Sequence, residues 1–285
     1  MAIWNLGSVN ADLVYRVRHM PTPGETLSAY DHQKGLGGKG ANMSVACHRA
    51  GSHVEHIGAV GEDGTWMKDR LATYGVKVGH LANLPGPSGQ AVILLDDAGE
   101  NEIIILDGAN RDITEAMVDA ALSRAKPGDT AIFQNETSVQ DHFARAARAA
   151  GLRLAYAAAP FEAAAVAAVM EHLDILVMNA VEAEQLEAAL GQPPEALPIA
   201  DVVITLGGEG CRWINTATGT VRTFAAPKVT PVDTTGAGDT FTGYLIAGLD
   251  QGLAMEAALE MAQKAGALMV TRLGTADVIP TRDEL

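Results

Sequence analysis

The run Asp233-Thr234-Thr235-Gly236-Ala237-Gly238-Asp239-Thr240-Phe241 sets three small residues and then a carboxylate at the start of a helical pattern. Phe241, Tyr244, Leu245 and Leu249 follow at helical spacing, and Gly252 stands where the helix would end. The first N–H groups of a helix have no internal partner, and residues without bulk let an anion reach them, so this segment can hold phosphate oxygens. Asp239 would sit beside that anion. A carboxylate there repels phosphate, which makes sense if it takes a proton from a hydroxyl about to attack phosphorus. The alternative is an ordinary acidic residue favoured by the helix dipole.

A second glycine-rich approach, Gly35-x-Gly37-Gly38-Lys39-Gly40, precedes a helix expected over 40–50. It formally satisfies the dinucleotide fingerprint, which would suggest a nicotinamide-dependent oxidoreductase. The residues before it, Ser28 to Lys34, are too polar for the buried strand that a dinucleotide turn requires. Gly40 also stands where a Walker loop needs Ser or Thr after its Lys. What remains is Lys39 and Asn42 projecting from a loop that suits a hydroxylated ligand packed against backbone, or else a flexible loop with a helix start.

Asn10 and Asp12 follow a buried strand expected over 3–9, and Glu136 follows Phe133-Gln134-Asn135 in the same way. Polar groups at the carboxyl ends of such strands line the ligand crevice of open α/β sheets. Asn and Asp match sugar hydroxyls, although Asn-x-Asp also forms turns. Asn179 and Glu182 lie between a strand and a helix, where a carboxylate could hold magnesium-bound water. Thr205-Leu206-Gly207-Gly208-Glu209-Gly210 ends another strand in a glycine turn. His53 and His56 flank a short strand-like run, and none of the eight histidines has clear metal spacing.

The elements that must carry these residues alternate. Apolar runs at 3–9, 131–133, 154–156, 175–178 and 202–206 fall between helices expected at 40–50, 64–74, 114–125, 139–150, 161–171, 181–190, 239–250 and 254–270. This pattern predicts a doubly wound, mostly parallel sheet with helices on both faces, forming one domain over residues 1–285. Two stretches break the alternation. Extra strands within about 11–35 and 88–108, including a β-hairpin at 89–95 and 101–106, predict a small β-strand lid that would exclude water from the site.

With 285 residues, of which 48% are hydrophobic, the chain can bury a large core. Its net charge of −15 provides no basic footprint for nucleic acid or an anionic membrane. Cys47 and Cys211 are too far apart to suggest a zinc ribbon or a disulfide framework. No leader or membrane span is evident, so a cytoplasmic protein is expected. Thr281-x-x-Glu284 reads as a capping box with almost no helix left to cap, which suggests a shortened chain.

Taken together, these segments resemble the ribokinase family of carbohydrate kinases over essentially the whole chain. Gly38-Lys39-Gly40-Ala41-Asn42 looks like the family's first signature and Asp233 to Phe241 like its second. Asn5 to Asp12 with Pro21-Thr22-Pro23-Gly24-Glu25 is similar to the family's opening. The resemblance implies transfer of the γ-phosphate of ATP to a primary hydroxyl of a small sugar, with D-ribose first in line. A fructokinase-like or nucleoside kinase is the nearest alternative, and a sugar-binding regulator is the alternative from another class.

On that resemblance Asp239 is the general base, and the N–H groups of Gly236, Ala237 and Gly238 form the anion hole. Asn10, Asp12, Gly38, Lys39, Asn42, Glu136 and Asp239 contact the sugar, while Asn179, Thr205, Gly207, Gly210, Gly238 and Gln263 contact ATP. Glu182 holds Mg²⁺ through water, and Asp233, Thr235, Arg272 and Gly274 surround a monovalent cation such as K⁺. The lid strands would pair two copies into a homodimer. The chain departs from the family at Ala180, where an acidic residue normally follows the Asn, and at Gln263, where Asn or His is common.

Overall fold

The computed structural model describes all 285 residues. The N-terminal half runs β1 (Ala2–Leu6), β2 (Asn10–Arg16), β3 (Asp31–Gly37), α1 (Lys39–Arg49), β4 (His53–Val60), α2 (Thr65–Thr73), β5 (Lys77–Asn83), β6 (Gly89–Leu95) and β7 (Asn101–Leu106). Next come α3 (Glu115–Leu122), β8 (Thr130–Gln134), α4 (Gln140–Ala149), β9 (Arg153–Ala157), α5 (Ala163–Val169), β10 (Ile175–Asn179) and α6 (Ala180–Leu190). The chain closes with β11 (Asp201–Thr205), β12 (Cys211–Asn215), β13 (Thr220–Phe224), α7 (Ala237–Asp250) and α8 (Met255–Met269).

The large sheet has nine strands in the order β13-β12-β11-β10-β9-β8-β1-β4-β5. All neighbours from β11 to β5 are parallel, and β12 and β13 add an antiparallel edge. Strand residues alternate between two cores, as a sheet covered on both faces requires. Ile3, Ile132, Ala155, Ile175 and Val203 face the layer built from α1, α2, α7 and α8. Trp4, Phe133, Tyr156, Leu176 and Ile204 face α3 to α6. This is the doubly wound arrangement expected from the alternating apolar runs.

The second sheet has four strands in the order β3-β2-β6-β7, with β2 and β6 parallel and the two outer pairs antiparallel. Its size and composition fit the expected lid. The strand expected over 3–9 is divided, however, because β1 ends at Leu6 and the chain leaves the large sheet at Gly7. A side chain at Gly7 would come within 2.5 Å of the Gly40 Cα, so the first turn can only run there without one. Asn10 and Asp12 therefore belong to lid strand β2 rather than to the end of a core strand.

Candidate active site

The start of α7 is partly open to solvent, with Gly238 exposed. Gly236 occupies the left-handed region at φ 74°, a conformation glycine reaches without strain, and turns the chain into the helix. The N–H groups of Gly236, Gly238 and Asp239 find no acceptor within the protein. The Asp239 carboxylate lies just inside, 8% exposed, and its Oδ2 accepts a bond of 2.8 Å from Asn42 Nδ2. Burial pushes this carboxyl above the ordinary Asp range, while the Lys39 ammonium and Asn42 pull it back. Lys39 in turn is held protonated by Asp239, against the effect of burial, with Glu136 and Glu182 adding to the attraction.

Glycines let the elements that carry these groups close together. A Cβ at Gly40, at the start of α1, would lie 2.3 Å from the Gly7 Cα. Gly38, at φ 93°, would bring one within 2.9 Å of the Ser8 carbonyl oxygen. The turn from β1 to β2 thus rests directly on the start of α1, and Ala41 N donates to Ser8 O at 2.9 Å. Glu136, just beyond β8, joins both segments by accepting from the Ser8 hydroxyl and from Lys39 N at 3.0 Å. Burial raises its carboxyl, and Lys39 is the largest opposing influence.

Asp12 faces this cluster from β2. Its carboxyl is pushed up to about 7 by burial, which the Thr275 hydroxyl partly offsets and the Glu136 and Asp239 charges reinforce. Thr275 Oγ1 lies 3.3 Å from Asp12 Oδ2 and 2.8 Å from Leu36 O, so its single proton cannot serve both at once. A side chain at Gly37 would fall 2.1 Å from the Asp12 carboxylate oxygens. That glycine therefore keeps open the space the carboxylate occupies.

Beneath the turn, a chain of fully buried polar groups has a single consistent donor order. His56 Nε2 donates to Gly7 O at 3.1 Å, so its Nδ1 accepts from Ser44 Oγ at 2.8 Å. Ser44 accepts from Asn5 Nδ2 at 2.8 Å, and Asn5 also donates to Gly40 O. Burial lowers His56 to about 4 and keeps it neutral. His56 is thus a brace rather than a metal ligand, and no cluster of three potential metal ligands occurs in the molecule.

A shallow cleft at the carboxyl ends of β10 and β11 is lined by Asn179, Ala180, Val181, Thr205, Leu206, Gly207 and Glu209. Asn179 and Glu182 form a reciprocal capping box at the start of α6. Glu182 Oε2 accepts from Asn179 N at 2.7 Å, which leaves Oε1 free. Gly210 sits at φ 118°, where a Cβ would meet Phe224 O at 1.9 Å. Gln263 is tied inward instead of projecting freely: its Nε2 donates to Phe224 O at 2.7 Å, beneath the β12–β13 edge. Burial there leaves an amide with its donors spent on the protein.

Asp233 ties two loops together by accepting from Thr235 N at 2.9 Å and Gly274 N at 3.1 Å. The carbonyl oxygens of Asp233, Thr235, Arg272 and Gly274 accept no hydrogen bond from the protein. The Arg272 guanidinium turns away to Val278 O and Glu284, so only its carbonyl is available to a cation.

The profile of the pfkB family carbohydrate kinases matches residues 3–282. The chain belongs to that family. The ribokinase of Haemophilus influenzae is 32% identical over 294 residues, covering 98% of this chain and 95% of its own. The ribokinase structure from Thermotoga maritima superposes with a TM-score of 0.89 at 28% identity, covering 100% of this chain and 97% of its own. The structure of Arabidopsis thaliana ribokinase complexed with ribose and ATP superposes with a TM-score of 0.86 at 27% identity, covering 99% and 96%. The match spans both sheets, so this pfkB member is a carbohydrate kinase, a phosphotransferase acting on an alcohol group.

Asn42, Lys39, Glu136, Asp12 and Asp239 come together in one electrostatically coupled cluster. Ser8 and Thr275 were missed from the sequence. Ser8 is a common residue in an apolar segment. Thr275 reaches Asp12 across 263 positions, a separation at which no spacing rule operates. The Gly274-Thr275 pair after α8, separated from Arg272 by one residue, was the available signal.

Proposed function

We propose that this pfkB kinase transfers the γ-phosphoryl group of ATP to the primary hydroxyl of ribose, giving ribose 5-phosphate. One observation carries the reading: a buried, proton-attracting carboxylate, Asp239, adjoins three unclaimed backbone N–H groups at the start of α7. The similarity to proteins named as ribokinases, one of them solved with ribose and ATP, supports ribose as the acceptor.

In this reading Asn10, Asp12, Gly38, Lys39, Asn42 and Glu136 bind the sugar and aim its hydroxyl at Asp239, which takes the proton. The unclaimed N–H groups of Gly236 and Gly238, joined by that of Ala237 once it gives up its 3.3 Å bond to Thr234 O, and the Lys39 ammonium offset charge as it spreads over the moving phosphoryl oxygens. Asn179, Thr205, Gly207 and Gly210 border the nucleotide, with Gly238 at its phosphates and Gln263 supporting the adenine side from below. The small sheet acts as the lid of a single kinase domain and excludes water from the transfer.

The single free oxygen of Glu182 suits Mg²⁺ that keeps its water shell and is held mainly by phosphates. Bound there, the ion neutralises phosphate charge. Ala180 removes the acidic neighbour, so Glu182 alone would anchor it. The unclaimed carbonyls of Asp233, Thr235, Arg272 and Gly274 suit a monovalent cation that keeps the loop ahead of α7 in shape. Pairing of lid strands between two copies would give a homodimer.

The test is ADP release over a panel of ribose, 2-deoxyribose, fructose and adenosine, with and without K⁺. Ribose should give the highest kcat/KM, and K⁺ should raise it. Preference for adenosine would convert the reading to a nucleoside kinase, and absence of ADP release with every acceptor would end it.

A further inference from the structure

Asn10 is expected to touch the sugar, yet which end of its amide faces the ligand depends on a residue outside the cluster. Asn110 lies in the turn Gly108–Arg111 and is 1% exposed. Its Oδ1 accepts from Val9 N at 2.9 Å. A backbone N–H can only donate, so the other end of the Asn110 amide must be the nitrogen. That nitrogen donates to Asp107 O at 3.0 Å and to Asn10 Oδ1 at 2.8 Å, which uses both of its hydrogens. The atom of Asn10 that meets Asn110 is therefore its oxygen, and the Asn10 Nδ2 is left to face the site with no partner in the protein.

We infer that Asn110 is a positioning residue that fixes the amide of Asn10 so that it offers donors, not an acceptor, to the sugar. The inference rests on the proposed role of Asn10 as a sugar contact. Gly89 is part of the same arrangement: a Cβ there would lie 2.1 Å from Asn10 Oδ1 and 2.2 Å from Asn110 Nδ2. The first residue of β6 must be glycine for the two amides to meet.

The chemical consequence is a division of labour. Asn42 spends its Nδ2 on Asp239 and leaves its buried Oδ1 without a partner. Asp12, Glu136 and Asp239 also present oxygens when ionised. Lys39 and Asn10 then supply the donors, so Asn10 reads an oxygen lone pair of the ligand where its neighbours read hydroxyl protons. A sugar lacking the oxygen opposite Asn10 leaves a desolvated amide unpaired, and unpaired groups of this kind discriminate strongly.

Sugar KM, ATP KM and kcat measured for Asn10→Ala, Asn110→Ala and the double variant test the inference. Asn110→Ala should raise sugar KM about tenfold while ATP KM stays within about twofold, and the double variant should be no worse than Asn10→Ala alone. Additive losses, or an equal rise in ATP KM, would overturn the positioning role. Should Asn110→Ala fail to fold, Asn10→Asp decides. It keeps an oxygen opposite Asn110 Nδ2 and, assayed above neutral pH where the new carboxyl is ionised, offers no donor to the sugar, so sugar KM should rise at least tenfold while the far-UV spectrum stays that of the folded chain. An unchanged KM would overturn the inference. A wild-type chain that phosphorylates none of the sugars would instead count against the proposed function, because these comparisons all begin from wild-type turnover.

Discussion

Asp239 is caught between burial, which favours its neutral form, and Lys39, which favours its charged form. That balance suits a group that must accept a proton and later release it. Asp239→Asn keeps the shape and removes the basicity. Turnover should fall by about 10² or more, while ribose should still raise the melting temperature of the variant. Unaltered turnover would remove Asp239 from the reaction. Asp12 titrates closer to neutrality, at about 7, against 3.8 for its ordinary value. Because its folded value is raised, its contribution to stability is complete below about pH 3.8 and is lost as pH rises through about 7. Asp12→Asn should therefore melt like the parent near pH 4 and above it at pH 8, by an amount on the order of a few kcal/mol. In the parent, sugar KM should fall as pH rises through about 7, as the carboxylate that accepts hydroxyl protons becomes charged. Identical melting curves for variant and parent at both pH values would contradict the assigned burial.

At the scale of elements, the site depends on two chain segments, the β1–β2 turn and the start of α1, that meet with no side chain between them. The atoms a Gly40→Ala methyl would strike are Gly7 Cα, Gly7 C and Ser8 N, all backbone, so no rotamer change relieves the contact. The turn must shift, at about 1–3 kcal/mol, and Ser8, Asn10 and Asp12 shift with it. The variant should melt several degrees lower and show a raised sugar KM, whereas Gly79→Ala, in open space on β5, should do neither. An equal response from both would show that the close approach has no special weight. The sequence exposed the helices well because they carry apolar faces and several end at a glycine, as with Met43, Ala46, Cys47, Ala50 and Gly51 around α1. It placed β3 only within the broad lid stretch of 11–35 and not its bounds, because Asp31-His32-Gln33-Lys34 is polar where a lid strand is open to water. It concealed β5, an edge strand half exposed along its length, and β13, whose central residues face solvent. Strands without a buried face leave no period-two signal. The groups within the two signature runs were legible for the opposite reason, since glycines and charged residues packed in sequence have few structural uses. Asn110 was not, because its meaning lies in a bond to a residue 100 positions away.

For the molecule as a whole, β7 is the outer strand of the lid sheet and carries Ile103, Ile104, Ile105 and Leu106, each about half exposed or more. An apolar edge strand is a template for another strand and is rarely left bare. Ile104→Lys should turn a homodimer into a monomer, as read by light scattering after gel filtration. A parent chain that is itself monomeric would refute lid pairing. No helix is long and apolar enough to cross a membrane.

Asp239, Glu136 and Glu182 act on one ammonium, that of Lys39, and Asp12 is coupled to the first two, so the site carries surplus negative charge whenever its acids are ionised. In the proposed reading a neutral polyol adds no charge to this crowd, whereas its phosphate ester adds negative charge beside Asp239. If these acids recognise the acceptor as proposed, the same crowd would favour departure of the phosphate ester made from it.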